Sequence, residues 1–248
     1  ISLWGLERTL DKCTGMFAFS LFDSQEKELT LVRDRFGEKP LYYGFLDNGY
    51  SKIFGFCSEI SSFKSLKNFN LSINLNILSE FFKYTVIPAP NTIFKGIYQL
   101  LPGNLIKLKL PIDNYQIKPY PWWNLIEQYT NAYESKFTDY SLALNTLEHA
   151  LSQSVKQQSL ADVPLCTFLS GGIDSSLITA LLQSQTSKNV KTFTIGFEES
   201  AYNEASHARL IANYLGTDHK EVILTSNDAI NLIPSLANIY SEPFADSS

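Results

Sequence analysis

The sequence predicts a mixed α/β protein in two parts, an antiparallel, strand-rich first half followed by a parallel-sheet α/β half. Three observations predict it. Between residues 17 and 57, short apolar runs are separated by turn-forming residues, as in strands joined by tight turns. Beyond residue 140, helical stripes alternate with short apolar strands, the pattern of βαβ units. The charge divides in the same way: residues 1–125 hold 14 Lys/Arg against 11 Asp/Glu, and residues 126–248 hold 6 against 14. At 248 residues and 44% hydrophobic, the chain is long enough for two cores.

The first half is read in order as follows. Residues 2–12 are the last turns of a helix, closed by Gly15. Phe17, Phe19 and Leu21 alternate with Ala18, Ser20 and Phe22 in a strand expected to be buried on both faces. Asp23–Lys27 turns the chain into Leu29, Leu31 and Arg33, giving a hairpin. Leu41–Phe45 and Tyr50–Cys57 follow, so four sequential strands predict an antiparallel meander, then a short helix from Ser58. The charged turn Arg33–Lys39 is either an anion site or, more commonly, a solvated ion pair. Asn76–Tyr84 is helical and Pro88–Asn91 stops it. Ile106, Leu108 and Leu110, alternating with Lys107 and Lys109, make a half-exposed strand. Trp122 and Trp123 read as packing rather than ligand stacking. Residues 1–124 form the first domain, and 125–140, without clear periodicity, the linker.

In the second domain, 141–248, Leu144, Leu147, Leu151 and Val155 form a helical stripe. A strand then runs into Ser170-Gly171-Gly172-Ile173-Asp174-Ser175-Ser176, and Leu177, Ile178, Leu181 and Leu182 continue as a helix. Val190–Phe197 is the next strand. Ala208, Ile211, Ala212 and Leu215 form a helix closed by Gly216, His219–Leu224 is a strand, and a last helix is stopped by Pro243. Ligands of such sheets sit off the C-terminal strand edge, where Ser170–Gly172 and the Gly196–Asn203 loop lie.

The strand–glycine–helix stretch presents backbone amides and the positive end of a helix dipole, and paired glycines allow close approach of a bulky anion. The anion that suits it is a phosphate chain. It is not a Walker A loop, because the lysine is missing. Asp174 would repel phosphate unless a divalent cation lies between them, so the loop suggests a nucleotide bound with Mg²⁺. Taken alone, the short pattern is equally compatible with a plain strand–helix connection.

Other classes are excluded by composition. The acidic second half is a poor nucleic-acid binder. Cys13, Cys57 and Cys166, without CxxC spacing, fit neither a disulfide framework nor a zinc site, and no apolar run is long enough for a membrane span.

Ser170–Ser176 resembles the pyrophosphate loop of the N-type ATP pyrophosphatases. Gly15–Phe19 and Arg33–Tyr43 resemble the later part of an Ntn-type, class II glutamine amidotransferase (glutaminase) domain. Phe193–Phe197, Tyr202–Ala205, Leu215–His219 and Glu242–Ser248 follow in the order found in glutamine-hydrolysing asparagine synthases. The resemblance implies ATP and Mg²⁺ as cofactors, aspartate and glutamine as substrates, a cytoplasmic setting, and room for a homodimer. It also implies aspartate activation as β-aspartyl-AMP with release of pyrophosphate, then amidation by ammonia taken from glutamine. By position, Ser170, Gly171, Gly172, Asp174, Ser175 and Ser176 hold the pyrophosphate part, with Asp174 near the metal. Phe168, Leu169 and Ile195 contact the nucleoside, Phe168 standing where the family often has leucine. Ser247 and Ser248 lie near the adenylate. No catalytic nucleophile is assigned, since Ile1 is not the family's N-terminal cysteine, none of the three cysteines carries a free α-amino group, and the family's glutamine-binding segments are expected before Gly15. The chain reads as a fragment, inactive alone. Two alternatives remain: a related ligase that adenylates another carboxylate, and a non-catalytic regulatory remnant.

Overall fold

A computed structural model describes all residues except 67, 68, 70, 113–115, 134, 200–202 and 246–248. It divides into two compact units, Ile1–Glu134 together with Ser235–Ser248, and Ser135–Pro234.

In the first unit, α1 (Leu6–Lys12) places Leu6 and Leu10 one turn apart on one face, with Glu7 in its first turn and Lys12 in its last to complement the dipole. β1 (Ala18–Asp23), β2 (Glu28–Arg33), β6 (Asn104–Lys109) and β7 (Tyr120–Pro121) make an antiparallel sheet in the order β1-β2-β6-β7. A second antiparallel sheet, β4-β3-β5, is built from β3 (Tyr42–Asp47), β4 (Lys52–Cys57) and β5 (Ile97–Gln99). The two sheets share a core of Leu31, Tyr43, Leu100, Ile106 and Leu108. On the outer face of the first sheet, Val32 and Leu105 pack with Leu10 of α1. On the outer face of the second, Leu46 and Ile97 pack with Phe63 of α2 (Ser61–Lys64). The result is four layers, helix–sheet–sheet–helix.

The expected meander is therefore not what forms. β2 is buried on both faces from Thr30 to Arg33, which makes it a central strand. Its second edge is taken by β6, with Leu29 opposite Leu108 and Leu31 opposite Ile106, while β3 pairs with β4 and β5 in the other sheet. Alternation shows that a segment is a strand but not which distant strand completes its hydrogen bonds. β1 is also corrected: it is an edge strand with Ser20 and Phe22 exposed, so one face only is covered.

α3 (Leu75–Tyr84) is capped by the Asn74 side chain, and α4 (Leu125–Tyr133) occupies much of the segment expected as a linker. Tyr120–Pro121 pairs with Asn104–Leu105. The last segment, containing α9 (Leu236–Ile239), groups with the first unit rather than with the second-domain residues that precede it.

In the second unit, α5 (Tyr140–Gln158) starts at an Asp139 cap. Its apolar stripe is buried only towards its end, at Val155, while Leu144 and Leu147 stay exposed. β8 (Cys166–Phe168), β9 (Lys191–Phe197) and β10 (Asp218–Leu224) form a parallel sheet in the order β10-β9-β8. Between them run α6 (Ile173–Ser184) and α7 (Ala205–Leu215). Thr192, Thr194 and Gly196 are buried on one face of β9, and three small residues, Ala205, Ala208 and Ala212, are the buried residues of α7. Phe168, Ile195 and Val222 are exposed on the other face. α8 (Ser226–Leu232) begins with a capping box between Thr225 and Asp228.

Candidate functional site

The loop at the end of β8 is held from below before it opens above. The Leu169 N–H donates to the Phe193 carbonyl at 2.9 Å, its carbonyl accepts from the Thr194 hydroxyl, and its side chain is 1% exposed against Ala208 and Ala212. Thr167 and Thr179 share a hydroxyl hydrogen bond of 3.0 Å that pins α6 to β8. With both flanks fixed, the position of Ser170–Gly172 follows from the scaffold.

Gly171 has φ +85, and a Cβ there would lie 2.8 Å from His207 Cβ and 3.1 Å from the Ala208 nitrogen. Conformation and space both require glycine, and the loop rests on the first turn of α7. Gly172 is the N-cap of α6 and supplies no side chain to cap it. The first intrahelical bond of α6 is from Ser176 N–H to the Gly172 carbonyl, 3.1 Å, so the amides before it face outward. Around them, Ser170 Oγ and Ser175 Oγ are 3.0 Å apart and Ser176 Oγ donates to the Gly172 carbonyl at 2.6 Å.

Asp174 lies exposed in the first turn of α6. Among the described residues no group of three His, Cys, Asp or Glu side chains could enclose a metal. One exposed carboxylate can supply an oxygen ligand to a cation that takes its remaining ligands from phosphate and water, as Mg²⁺ does, while the neighbouring open amides suit the phosphate. A nucleotide polyphosphate with Mg²⁺ therefore fits the residues present.

Phe168 is 78% exposed and Ile195 52%, and they lie on the same face of the sheet, since Phe168 is opposite Phe193 and Ile195 is two residues further along β9. Leu169 alternates to the other face and is buried, so its side chain cannot line the same surface. Ser247 and Ser248 lie outside the described residues, as does Tyr202.

The threonines below the loop were not singled out by the sequence reading. Thr192 Oγ meets Thr217 Oγ at 3.0 Å and His219 Nδ1 at 2.8 Å, tying β9 to the start of β10. His219 Nε2 lies 3.4 Å from Glu221, which Arg209 of α7 grips with two nitrogens at 2.6 and 2.5 Å. That grip holds the Glu221 carboxyl below its usual range. The available signal was Thr192 and Thr194 at alternate positions of an otherwise apolar strand.

The other charged turn, Arg33–Lys39, is closed. Asp34 is 1% exposed and its carboxylate accepts four amides, from Phe17, Phe36, Glu38 and Lys39, at 2.9–3.3 Å. Arg33, also buried, donates to the carbonyls of Lys39, Leu100 and Gly37. It is neither an anion site nor a solvated ion pair. Trp122 donates to the Arg33 carbonyl at 3.0 Å and stacks on Phe17, and Trp123 meets Phe36 edge-on, so the tryptophan pair is packing.

Residues 1–123 match the family model of the glutamine amidotransferase domain, and residues 146–248 match that of asparagine synthase. The chain belongs to the glutamine-hydrolysing asparagine synthase family. A Methanocaldococcus jannaschii protein provisionally named asparagine synthetase [glutamine-hydrolyzing] 2 is 32% identical over 238 residues, 94% of this chain and 44% of that protein. Asparagine synthetase [glutamine-hydrolyzing] 1 of Bacillus subtilis is 27% identical over 240 residues, 97% of this chain and 36% of its own length. The mouse asparagine synthetase [glutamine-hydrolyzing] is 27% identical over 242 residues, covering 92% and 38%. The chain thus spans less than half the length of these relatives. Its open loop falls within the asparagine synthase match and its closed turn within the amidotransferase match. The asparagine synthase match runs to residue 248, past residue 235, where the chain joins the first compact unit. Among the described residues, no helix is long and apolar enough to cross a membrane.

Proposed function

We propose that the chain is part of a cytoplasmic enzyme that amidates aspartate to asparagine, using ATP and ammonia released from glutamine. The observation that carries this reading is the loop Ser170–Ser176, which is anchored from below at Leu169, has no side-chain cap at the start of α6, and engages its Ser170 and Gly172 amides only with its own serine hydroxyls, at 3.3 and 3.4 Å.

In this reading the loop amides and the hydroxyls of Ser170, Ser175 and Ser176 hold the β- and γ-phosphates, and Asp174 would hold Mg²⁺, which would offset the phosphate charge. Phe168 and Ile195 offer an apolar surface to the nucleoside. The aspartate β-carboxylate oxygen attacks the α-phosphorus, the α–β bridging P–O bond breaks, and pyrophosphate leaves with the electron pair. Donors gathered at the β/γ end stabilise the charge that grows on this leaving group. Ser247 and Ser248 serve the adenylate that results. Ammonia then attacks its acyl carbon, AMP leaves with the electron pair of the broken C–O bond, and a proton lost from nitrogen completes the amide.

The test is exchange of labelled pyrophosphate into ATP by the full-length protein, with aspartate and with other carboxylic acids. Aspartate-driven exchange is expected. Asp174→Asn should lower it by about 10–100-fold, the size typical of losing a group that orients a metal. Its stability should change by less than about 0.5 kcal/mol because the side chain is exposed. Exchange driven only by another acid would replace aspartate as the acceptor. Absence of exchange with every acid tried would leave the chain a non-catalytic remnant.

A further inference from the structure

The asparagine synthase match and the compact units disagree over one segment. Residues from 235 onward belong to the former by sequence, yet in the structure they join the unit that carries the amidotransferase match. Among the described residues, the contacts that hold this strap are of a particular kind. The Ile93 N–H, in a buried turn, donates to the Glu242 carboxylate at 3.2 Å, while the Ile93 carbonyl is taken by Asn74 at 2.8 Å. The Lys64 ammonium donates to the Ser241 carbonyl at 3.3 Å and lies 5.6 Å from the centre of the Phe94 ring. Tyr240 and Phe244 stack at 4.0 Å, 8° from parallel, on either side of this point.

Three features make the seat costly. Ser241 holds φ +62, a left-handed conformation that a serine adopts only under constraint. Its hydroxyl is buried without a hydrogen-bond partner among the described residues. Glu242 is largely taken out of water beside the Tyr42 hydroxyl and is given one amide in return, and burial pushes its carboxyl above the usual range. A strap needed only for stability would be better served by a neutral side chain. One held against its own costs is poised between a seated and a released arrangement, which a small change in binding can select.

We propose that Glu242 is a positioning residue that couples the two family domains: it seats the 235–245 strap against the Thr92–Lys95 turn, and occupation of the nucleotide and acceptor site shifts that seat. The inference rests on the function proposed above, because Glu242 stands five residues before Ser247.

The experiment uses the full-length protein with Glu242→Ala and Glu242→Gln. Amide hydrogen exchange at Ile93 is followed with and without ATP and aspartate, alongside the glutamine hydrolysed per asparagine formed. In the wild type the ligands should change exchange at Ile93 by about fivefold or more, the lower end of usual coupling between sites. In Glu242→Ala exchange should be fast in both states, and glutamine should be hydrolysed in excess of asparagine. Its rate with ammonium as nitrogen source should fall far less. Glu242→Gln, whose amide oxygen can accept the same bond, should stay close to the wild type, which separates positioning from misfolding. A ligand response that persists in Glu242→Ala overturns the inference. So does one absent from wild-type protein that catalyses aspartate-driven pyrophosphate exchange. Loss of that exchange from the wild type would instead remove the proposed function, and the inference with it.

Discussion

The turn Arg33–Lys39 and the loop Ser170–Ser176 each stand at the end of a strand, β2 and β8, and each concentrates polar groups in seven residues. In the first, every charge near the backbone is answered: Asp34 by four amides and Arg33 by three carbonyls. In the second, the backbone donors at the start of α6 have no cap, and the hydroxyls bond mainly to one another and to the Gly172 carbonyl. The difference teaches that charge density is a poor guide to a ligand site. A buried charge surrounded by backbone partners closes a fold. Open amides above an anchored residue leave room for something else.

That contrast can be broken most directly at Asp34. Asp34→Ala leaves four amides unanswered in a buried place and removes the negative charge beside the buried Arg33, and should cost about 3–5 kcal/mol, as removing one partner of a buried charge network does. The measurement is urea unfolding followed by tryptophan fluorescence, since Trp4, Trp122 and Trp123 all lie in the first unit and Trp122 bonds the Arg33 carbonyl. A loss below about 1 kcal/mol would mean that the turn is not closed in the sense argued.

Gly171→Ala probes the other member of the pair. It forces a Cβ into φ +85 and against His207 and Ala208, so a loss of about 1–3 kcal/mol is expected. ATP binding by the full-length protein should weaken at the same time by about tenfold or more, the equivalent of about 1.4 kcal/mol. Unchanged nucleotide affinity would show that the loop is only a connection.

The smallest effect is a pH dependence confined to the first unit. Burial, and then Tyr98, push the Tyr43 hydroxyl up to about 12. A phenol whose folded value is raised contributes stability that is fully present below its ordinary value near 10 and is lost as pH rises towards 12. Tyr43→Phe should flatten the decline in first-unit stability across that window, again read by tryptophan fluorescence. An identical slope in both proteins would refute the assignment.

Much of this was legible in residue order. The glycine pair before a helical stripe marked the loop, and Phe168 and Ile195 are exposed on one sheet face. The side chain of Leu169, one position further along, points to the opposite face, where Ala208 and Ala212 leave space for it. The closed turn was read as surface because its partners include Phe17 and Leu100, distant in sequence from Asp34 and Arg33. The threonines beneath the loop were passed over because their partners also come from other elements.

By itself the sequence determined most of the local elements, the change from period two to helical stripes, and the presence of a glycine-bearing helix start, because these depend on neighbours a few residues apart. Only the tertiary structure decided which strands share a sheet, that Asp34 is buried, and that residues from 235 onward join the first unit. Those outcomes depend on which distant apolar faces exclude water together, and on which backbone donors then need an acceptor, and neither quantity is written in any one stretch of chain.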